Sequence, residues 1–326
     1  MQIDLQTINI KPLRQTFDHL ARRFGDKPAS RYQEGTYDIQ QDYLFHYRPT
    51  WEPDREIFDE RRTAIRMRDW YDFKDPRQFY YGTYTIARAK QQEGADAAFE
   101  FAEESGLDGL PDAVRKLVLE VLLPMRHFEW GGNMNNTFIS AYGYGTAIEA
   151  ACMYAAMDRL GIAQQISRIG LAVGGETALD AAKATWLSHL AWQPLRKCVE
   201  DSFVIRDWFE LFVAQNLILD ALVYQFLYVH VDKLALREGG ALFGLVTKFM
   251  KDWHGETTRW VDAVVKAAVG ESAENKALVG AWLGKHRASA STAVKSLAQS
   301  IFGAATADVM DTIQSDLQAR LQKVGL

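Results

Sequence analysis

The chain has 326 residues, of which 48% are hydrophobic and 24% charged, so it is not intrinsically disordered and its core needs no disulfides. Its net charge of -5 argues against nucleic acid as a partner, because phosphate binding needs a basic surface. The two cysteines, Cys152 and Cys198, lie in apolar helical surroundings without zinc-ligand spacing, and we interpret them as free thiols in a reducing cytoplasm.

Residues 1–85 are predicted to form a largely irregular arm that contacts a partner chain. Residues 1–20 contain charged side chains and no long apolar run, so we expect no signal peptide. Aromatic residues are concentrated between residues 30 and 84, interleaved with arginines and acids, and only 56–68 has a helical pattern. An irregular segment cannot bury that many rings against itself, and Tyr, Trp and Arg are enriched in the cores of interfaces.

The partner interface is therefore predicted to include eight side chains of the arm: Tyr47, Trp51, Arg55, Trp70, Tyr71, Phe79, Tyr80 and Tyr81. The composition leaves two alternatives open. The arm can pack on its own domain, or its rings can stack on RNA bases, although the interleaved acids cancel the positive field that RNA binding needs.

Residues 86–326 are predicted to form a helical domain. After residue 85 no useful β-alternation is present, and from Pro111 onward glycine pairs mark breaks between helical segments. The predicted helices are 112–130, 135–172, 175–192, 195–202, 204–235, 241–253, 256–269, 273–285, 287–302 and 305–323.

One of these segments is long enough to span a bilayer. Residues 211–231 read LFVAQNLILDALVYQFLYVHV, but an aspartate, Asp220, lies near the middle, where a charge in a lone spanning helix is costly. The segment instead predicts the central helix of a soluble bundle, and 204–235 is expected to be the most buried helix. Asp220 is expected to pair with a buried donor, because a buried charge needs a partner.

The sequence lacks the Glu-x-x-His spacing with which helical di-iron proteins place two ligands on one face. The residues three positions before the seven histidines include no acid: Thr16, Tyr43, Pro124, Trp186, Leu227, Lys251 and Leu283. We therefore expect no metal, no cofactor and no catalytic residue in this chain. An alternative is an independent helical enzyme or ligand-binding module whose buried polar site uses Glu149, Asp220 and Arg168.

Three long segments carry a family resemblance: 51–93 (WEPDREIFDERRTAIRMRDWYDFKDPRQFYYGTYTIARAKQQE), 125–170 and 212–235. They resemble the small, β oxygenase subunit of bacterial multicomponent monooxygenases, most closely of phenol hydroxylase and next of toluene monooxygenases. The resemblance implies a ferritin-like helical bundle with an extended aromatic-rich N-terminal arm.

The resemblance also implies a set of partners. The hydroxylase would be a dimer of αβγ protomers in the cytoplasm, with the di-iron centre in α. A reductase containing FAD and a 2Fe-2S cluster would deliver electrons from NADH, and a small effector protein would gate the reaction. One oxygen atom of O₂ would enter an aromatic ring. This chain would be the non-catalytic β subunit, contacting no nucleic acid and no membrane.

Three residues are implied by the same resemblance to stand at former metal-ligand positions. The segment 163–171 resembles an α-type A-Q-x-x-D-E-I-R-H motif, which puts Arg168 at the glutamate position and Leu171 at the histidine position. Gly143 and Tyr144 resemble the α-type Gly-Glu, which puts Tyr144 at another ligand position. An arginine there would repel a metal ion.

Overall fold

A computed structural model describes residues 12–39, 48 and 50–326 of the chain, and the structural statements below concern those residues. Across these ranges the chain is helical, with short 3-10 and π turns and no β-strand. The all-α, ferritin-like prediction is therefore confirmed. Tyr47, one of the predicted interface residues, lies outside the described residues.

The helices run in this order: α1 (Asp18–Phe24), α2 (Arg31–Glu34), α3 (Tyr81–Glu104), α4 (Asp112–Lys116), α5 (Met125–Tyr142), α6 (Thr146–Gly174), α7 (Glu176–Ser188), α8 (Gln193–Ser202), α9 (Trp208–Arg237), α10 (Ala241–Val246), α11 (Lys248–Glu271), α12 (Ala273–Phe302) and α13 (Thr306–Lys323). A π turn (Leu117–Leu122) continues α4, and two more (Val213–Leu219 and Phe226–Val231) lie within α9. Short 3-10 turns cover Glu60–Arg62, Trp70–Asp72, Leu107–Gly109, Leu190–Trp192 and Gly303–Ala305.

The helix α9 forms the centre of the core. All residues from Leu211 to Asp220 are buried. Within the described residues, α9 is the one helix whose length and composition would suit a membrane. Of its most apolar stretch of 18 residues, 83% is buried inside the chain. This confirms the prediction of a buried central helix, which begins four residues later than the predicted 204–235.

The hairpin of α5 and α6 packs beside α9, and here the predicted break at Gly131 and Gly132 is wrong. Both glycines lie inside α5, where a Cβ on Gly131 would come 2.4 Å from a methyl of Val199. A Cβ on Gly132 would come 3.0 Å from the guanidinium carbon of Arg159. These glycines therefore permit close packing, and the turn falls instead at Gly145, whose φ of 95° suits glycine.

Other predicted boundaries also differ from the structure. The predicted helix at 56–68 is a 3-10 turn at Glu60–Arg62 in an otherwise irregular stretch. The helix α3 was missed as an element, because its apolar residues are mostly alanines that do not mark one face. The segments predicted separately as 273–285 and 287–302 form one helix, since Gly280 and Gly284 point into open space and do not interrupt it.

Residues 64–73 of the arm pack on the helical bundle of the same chain. Ile65, Trp70 and Phe73 belong to the main hydrophobic core. The backbone N–H of Ala64 donates to Asp207 (2.7 Å), at the start of α9. That of Arg66 donates to the Asn275 side chain in α12 (3.1 Å), and Arg68 pairs with Glu271 at the end of α11 (2.8 Å).

Candidate functional site: a buried ionic cluster

The three residues placed at former ligand positions do not converge in the structure. Arg168 pairs with Asp96 of α3 (2.5 Å) and covers the Phe99 ring, while Leu171 is exposed. Tyr144 lies before α6 begins, with its ring centroid 5.3 Å from that of Trp70. At 1.5 Å per helical residue, α6 rises roughly 33 Å between its first residue, Thr146, and Arg168, so the two positions lie far apart.

The polar site of the alternative interpretation is not assembled either. Asp220 is in the bundle centre, whereas Arg168 lies at the surface of α6. Glu149 is buried at the other end of α6, against Gly143.

A different set of charged side chains meets at the bundle centre, and we call it the ionic cluster: Glu129 of α5, Arg159 of α6, and Asp220 and Tyr224 of α9. Arg159 is fully buried and donates to Glu129 (2.8 Å) and to Asp220. The Tyr224 hydroxyl donates to the other oxygen of Glu129 (2.8 Å). The predicted buried donor for Asp220 is thus confirmed, and it is Arg159.

Amides extend the ionic cluster along α5 and α9. The Gln215 amide donates to Asp220 (2.8 Å), and the Asn135 amide donates to Gln215 and to Ser202 (both 2.8 Å). Gln215 and Asp220 are five residues apart, and the π turn between them brings both to the same face of α9. Low dielectric strengthens these bonds, so the network holds a unique packing of the core.

Burial and pairing act in opposite directions on these groups. Burial raises the pKa of Glu129, and the guanidinium of Arg159 opposes that rise without cancelling it. Burial works against the charge on Arg159, yet the carboxylates of Asp220 and Glu129 keep the pKa of Arg159 well above its usual value. The cation is therefore permanent and sits where both carboxylates can share it.

The surroundings of Arg159 are shaped to accept its guanidinium. The guanidinium carbon lies 4.8 Å from the Trp253 ring centroid, within cation–π range. Gly132 leaves the space beside it open. The neighbouring His254 ring stacks on Tyr224 (4.7 Å), and burial lowers the pKa of His254 to about 3, so it stays neutral.

The residues at the centre do not fit a di-iron site. The position between Glu129 and Asp220 is filled by a guanidinium that hydrogen-bonds to both, and this fixed positive charge repels a metal ion. In the part of the chain that the structure describes, no three His, Cys, Asp or Glu side chains are grouped to hold a metal.

A second ionic network joins α3, α6 and α11. Arg88 forms a bidentate pair with Asp158 (2.7 and 2.8 Å) and also contacts Glu256 (3.0 Å). The Tyr84 hydroxyl and the Trp253 indole N–H both donate to Asp158 (2.8 Å each). Since Trp253 also stacks on Arg159, the two networks are in contact through one ring.

Sequence reasoning predicted a buried partner for Asp220 but missed the rest of both networks, although a signal was present. Arg159 and Asp220 each stand in a mostly apolar helical stretch, and Glu129 is flanked by Phe128 and Trp130. Charges in such surroundings are tolerated only when paired, so three of them on three core helices could have been matched with one another.

The predicted interface residues separate by burial. Trp70, Tyr71 and Phe79 are buried within this chain and leave little accessible surface for a partner, and their contact with one stays a prediction. Their rings find neighbours in the bundle and in α1 and α2, which the sequence pattern did not reveal. The remaining described members divide into the half-buried Arg55 and Tyr80 and the exposed Trp51 and Tyr81 (69% and 70%).

Known proteins resemble this chain over nearly its whole length. A family model described as methane/phenol/alkene hydroxylase matches residues 51–272. The chain is 47% identical to a phenol 2-monooxygenase oxygenase component of Pseudomonas sp. strain CF600, covering 100% of this chain and 98% of that relative. It is 24% identical to the hydroxylase component subunit beta of the toluene-4-monooxygenase system of Ectopseudomonas mendocina, covering 85% and 87%. A crystal structure of xenon-pressurized phenol hydroxylase from Pseudomonas sp. OX1 superposes with a TM-score of 0.93 at 42% identity, covering 98% of both chains.

Proposed function

Because this chain belongs to the methane/phenol/alkene hydroxylase family, we propose that it is the non-catalytic β subunit of a phenol hydroxylase-type oxygenase component. The observation that supports this most is the ionic cluster. A guanidinium bridges the two carboxylates of facing helices at the bundle centre, and that charge distribution suits a rigid scaffold and not a metal-bound oxidant.

The proposal assigns the chemistry to other chains of the same system. The di-iron centre belongs to a catalytic α subunit, which hydroxylates an aromatic ring with O₂ in a dimer of αβγ protomers. The FAD and 2Fe-2S cluster belong to an NADH-dependent reductase, and an effector protein acts on the assembled hydroxylase. The complex works in the cytoplasm.

The proposed task of this chain is to hold the catalytic subunit in its active shape. Two buried ionic networks fix the packing of the helices in a single arrangement. A bundle held in this way offers a rigid surface on which a second subunit can fold and pack. The arm, residues 1–85, is proposed to add contacts through Trp51, Arg55, Tyr80 and Tyr81, which keep accessible surface after folding.

The test is to produce this chain with and without the catalytic and small subunits, and to measure bound iron and phenol hydroxylation with reductase and effector added. We expect the complex to bind iron and turn over, and this chain alone to bind no iron after anaerobic treatment with Fe(II). Leaving this chain out should abolish assembly or activity.

A matched variant separates a scaffold from a hidden metal site. Glu129→Gln removes the carboxylate that would be a metal ligand but keeps the shape and a hydrogen bond. The iron content of the complex should not change. Stoichiometric iron on the isolated chain, lost in Glu129→Gln, would overturn the proposal.

A further inference from the structure

The outer face of the α5–α6 hairpin carries an apolar stripe that remains uncovered by the rest of the described chain. Its members are 38% to 50% exposed, although all are large apolar residues. We call these residues, together with Phe203 at the end of α8, the hairpin stripe: Trp130, Met134, Met153, Met157, Leu160 and Phe203.

The stripe is continuous across the elements that build it. Met153, Met157 and Leu160 follow the i, i+4, i+7 spacing of one face of α6. The Asn133 amide donates to the backbone carbonyl of Ala156 (2.8 Å), which brings α5 and α6 together beside this face. At one end, the Trp130 and Phe203 rings pack edge to face at 5.9 Å.

The area of the stripe corresponds to one side of a protein interface. With about 200 Å² for each whole side chain, the exposed fractions amount to on the order of 500 Å² of apolar surface. One side of a standard interface is about 800 Å², of which somewhat more than half is apolar. The stripe alone supplies that apolar part, and none of its members is charged.

We infer that the hairpin stripe is the surface on which the catalytic subunit docks, an inference that rests on the proposed function. The occupant is an apolar helical face of that subunit. Three methionines in the stripe suit such a contact, because flexible thioether side chains adapt to the surface that they meet. Trp130 is the expected anchor, since interface hot spots are enriched in Trp.

The position of the stripe also couples docking to the core. Trp130 follows Glu129, and Leu160 follows Arg159, so the same two turns that carry the ionic cluster inward carry the stripe outward. Contact with the catalytic subunit therefore clamps the helices that hold the ionic cluster.

The test compares wild type, Trp130→Ala and Met157→Glu in complexes purified through a tag on the catalytic subunit, with Leu236→Glu as the control. Leu236 is 62% exposed at the end of α9, away from the stripe. Dilution-dependent sedimentation should show a dissociation constant at least about 30-fold weaker for each stripe variant and unchanged for the control. Thermal unfolding of the isolated variants should match wild type, which excludes misfolding as the cause.

The outcomes distinguish the inference from the function on which it rests. Failure of the wild-type chain to bind the catalytic subunit would remove the proposed function itself. Binding of wild type and both stripe variants with equal affinity, or equal weakening by Leu236→Glu, would overturn the docking assignment alone. An intact complex combined with loss of self-association in the stripe variants would assign the stripe to a second copy of this chain and also overturn it.

Discussion

Replacing Arg159 by methionine should be among the most damaging substitutions that this chain can carry in its core. The change keeps most of the side-chain volume and removes the charge shared by Glu129 and Asp220, which are 1% and 2% exposed. Breaking a buried ion pair from one side costs about 3–5 kcal/mol, because the remaining charge has no compensation. The donors Tyr224 and Gln215 stay in place, so we expect a loss of about 4 kcal/mol, a large part of a typical stability of about 5–15 kcal/mol.

The stability lost in Arg159→Met should be larger at high pH than at low pH. Burial already raises the pKa of Glu129, and removing Arg159 takes away the main opposing charge, so the pKa of Glu129 rises further. A raised carboxyl pKa gives a stabilising contribution that is present below the unfolded pKa and is lost as pH rises through the folded pKa. The Arg159→Met penalty should therefore be larger at pH 8 than at pH 5.5, by about 1.4 kcal/mol for each unit of further shift.

The assay is urea unfolding of the full chain followed by circular dichroism at both pH values. A triple variant combines Arg159→Met with Glu129→Gln and Asp220→Asn, and so removes all three charges of the ionic cluster. It should recover most of the lost stability, because neutral side chains of similar volume leave no buried charge unpaired. A penalty below about 1 kcal/mol for Arg159→Met, a triple variant no more stable than the single one, or a larger penalty at pH 5.5 would each refute the reasoning.

Three further perturbations test neighbouring features. Gly132→Ala should lower the free energy of chemical unfolding by about 1–3 kcal/mol, because the new methyl group would lie 3.0 Å from the guanidinium of Arg159. The control Gly161→Ala places its methyl group in open space and should be neutral or slightly stabilising. Burial lowers the pKa of His254 to about 3, so its neutral form stabilises the folded state fully above pH 6.5, and the free energy of unfolding should fall by up to about 1.4 kcal/mol for each pH unit below that. His254→Phe should flatten this pH dependence. An NMR titration of His254 with a midpoint near 6.5 would contradict the prediction. Trp70→Ala removes a buried ring and should lower the free energy of unfolding by about 3–5 kcal/mol. Trp51→Ala removes an exposed ring and should leave stability unchanged but weaken the complex. Equal thermal stability of the two variants would contradict this assignment of Trp70 to the core and Trp51 to the surface.

The parts of the fold that can be predicted from sequence are those with strong periodicity. The central helix is recognisable because a long, mostly apolar stretch with an aspartate near its middle suits a buried bundle helix far better than a loop or a strand. Its predicted boundaries differ from those observed by only a few residues. Helix breaks are less predictable, because a glycine pair such as Gly131 and Gly132 serves equally well to end a helix or to let two helices approach. Only the residues opposite them, Val199 and Arg159, decide between the two, and those are distant in sequence.

The site was harder to predict than the fold. The absence of Glu-x-x-His spacing was readable, but the position of the ionic cluster was not, because it needs the register of α5 against α6. The resemblance to a ligand motif placed a former ligand position at Arg168, which pairs with Asp96. The arginine that faces the bundle centre is Arg159, nine residues earlier in α6. Motif similarity over a few residues does not show which side of a helix faces inward.

The anchoring of the arm sets the order in which the chain can fold during synthesis. Arg66 bonds to Asn275, 209 residues further along, and Arg68 bonds to Glu271, 203 residues further along. At about 5–20 residues per second, the ribosome delivers these acceptors roughly 10–40 s after the arm has been made. During that time Ile65, Phe73 and their neighbours have no finished core to enter. The contacts that anchor Arg66 and Arg68 therefore form late, only after α11 and the start of α12 have left the ribosome.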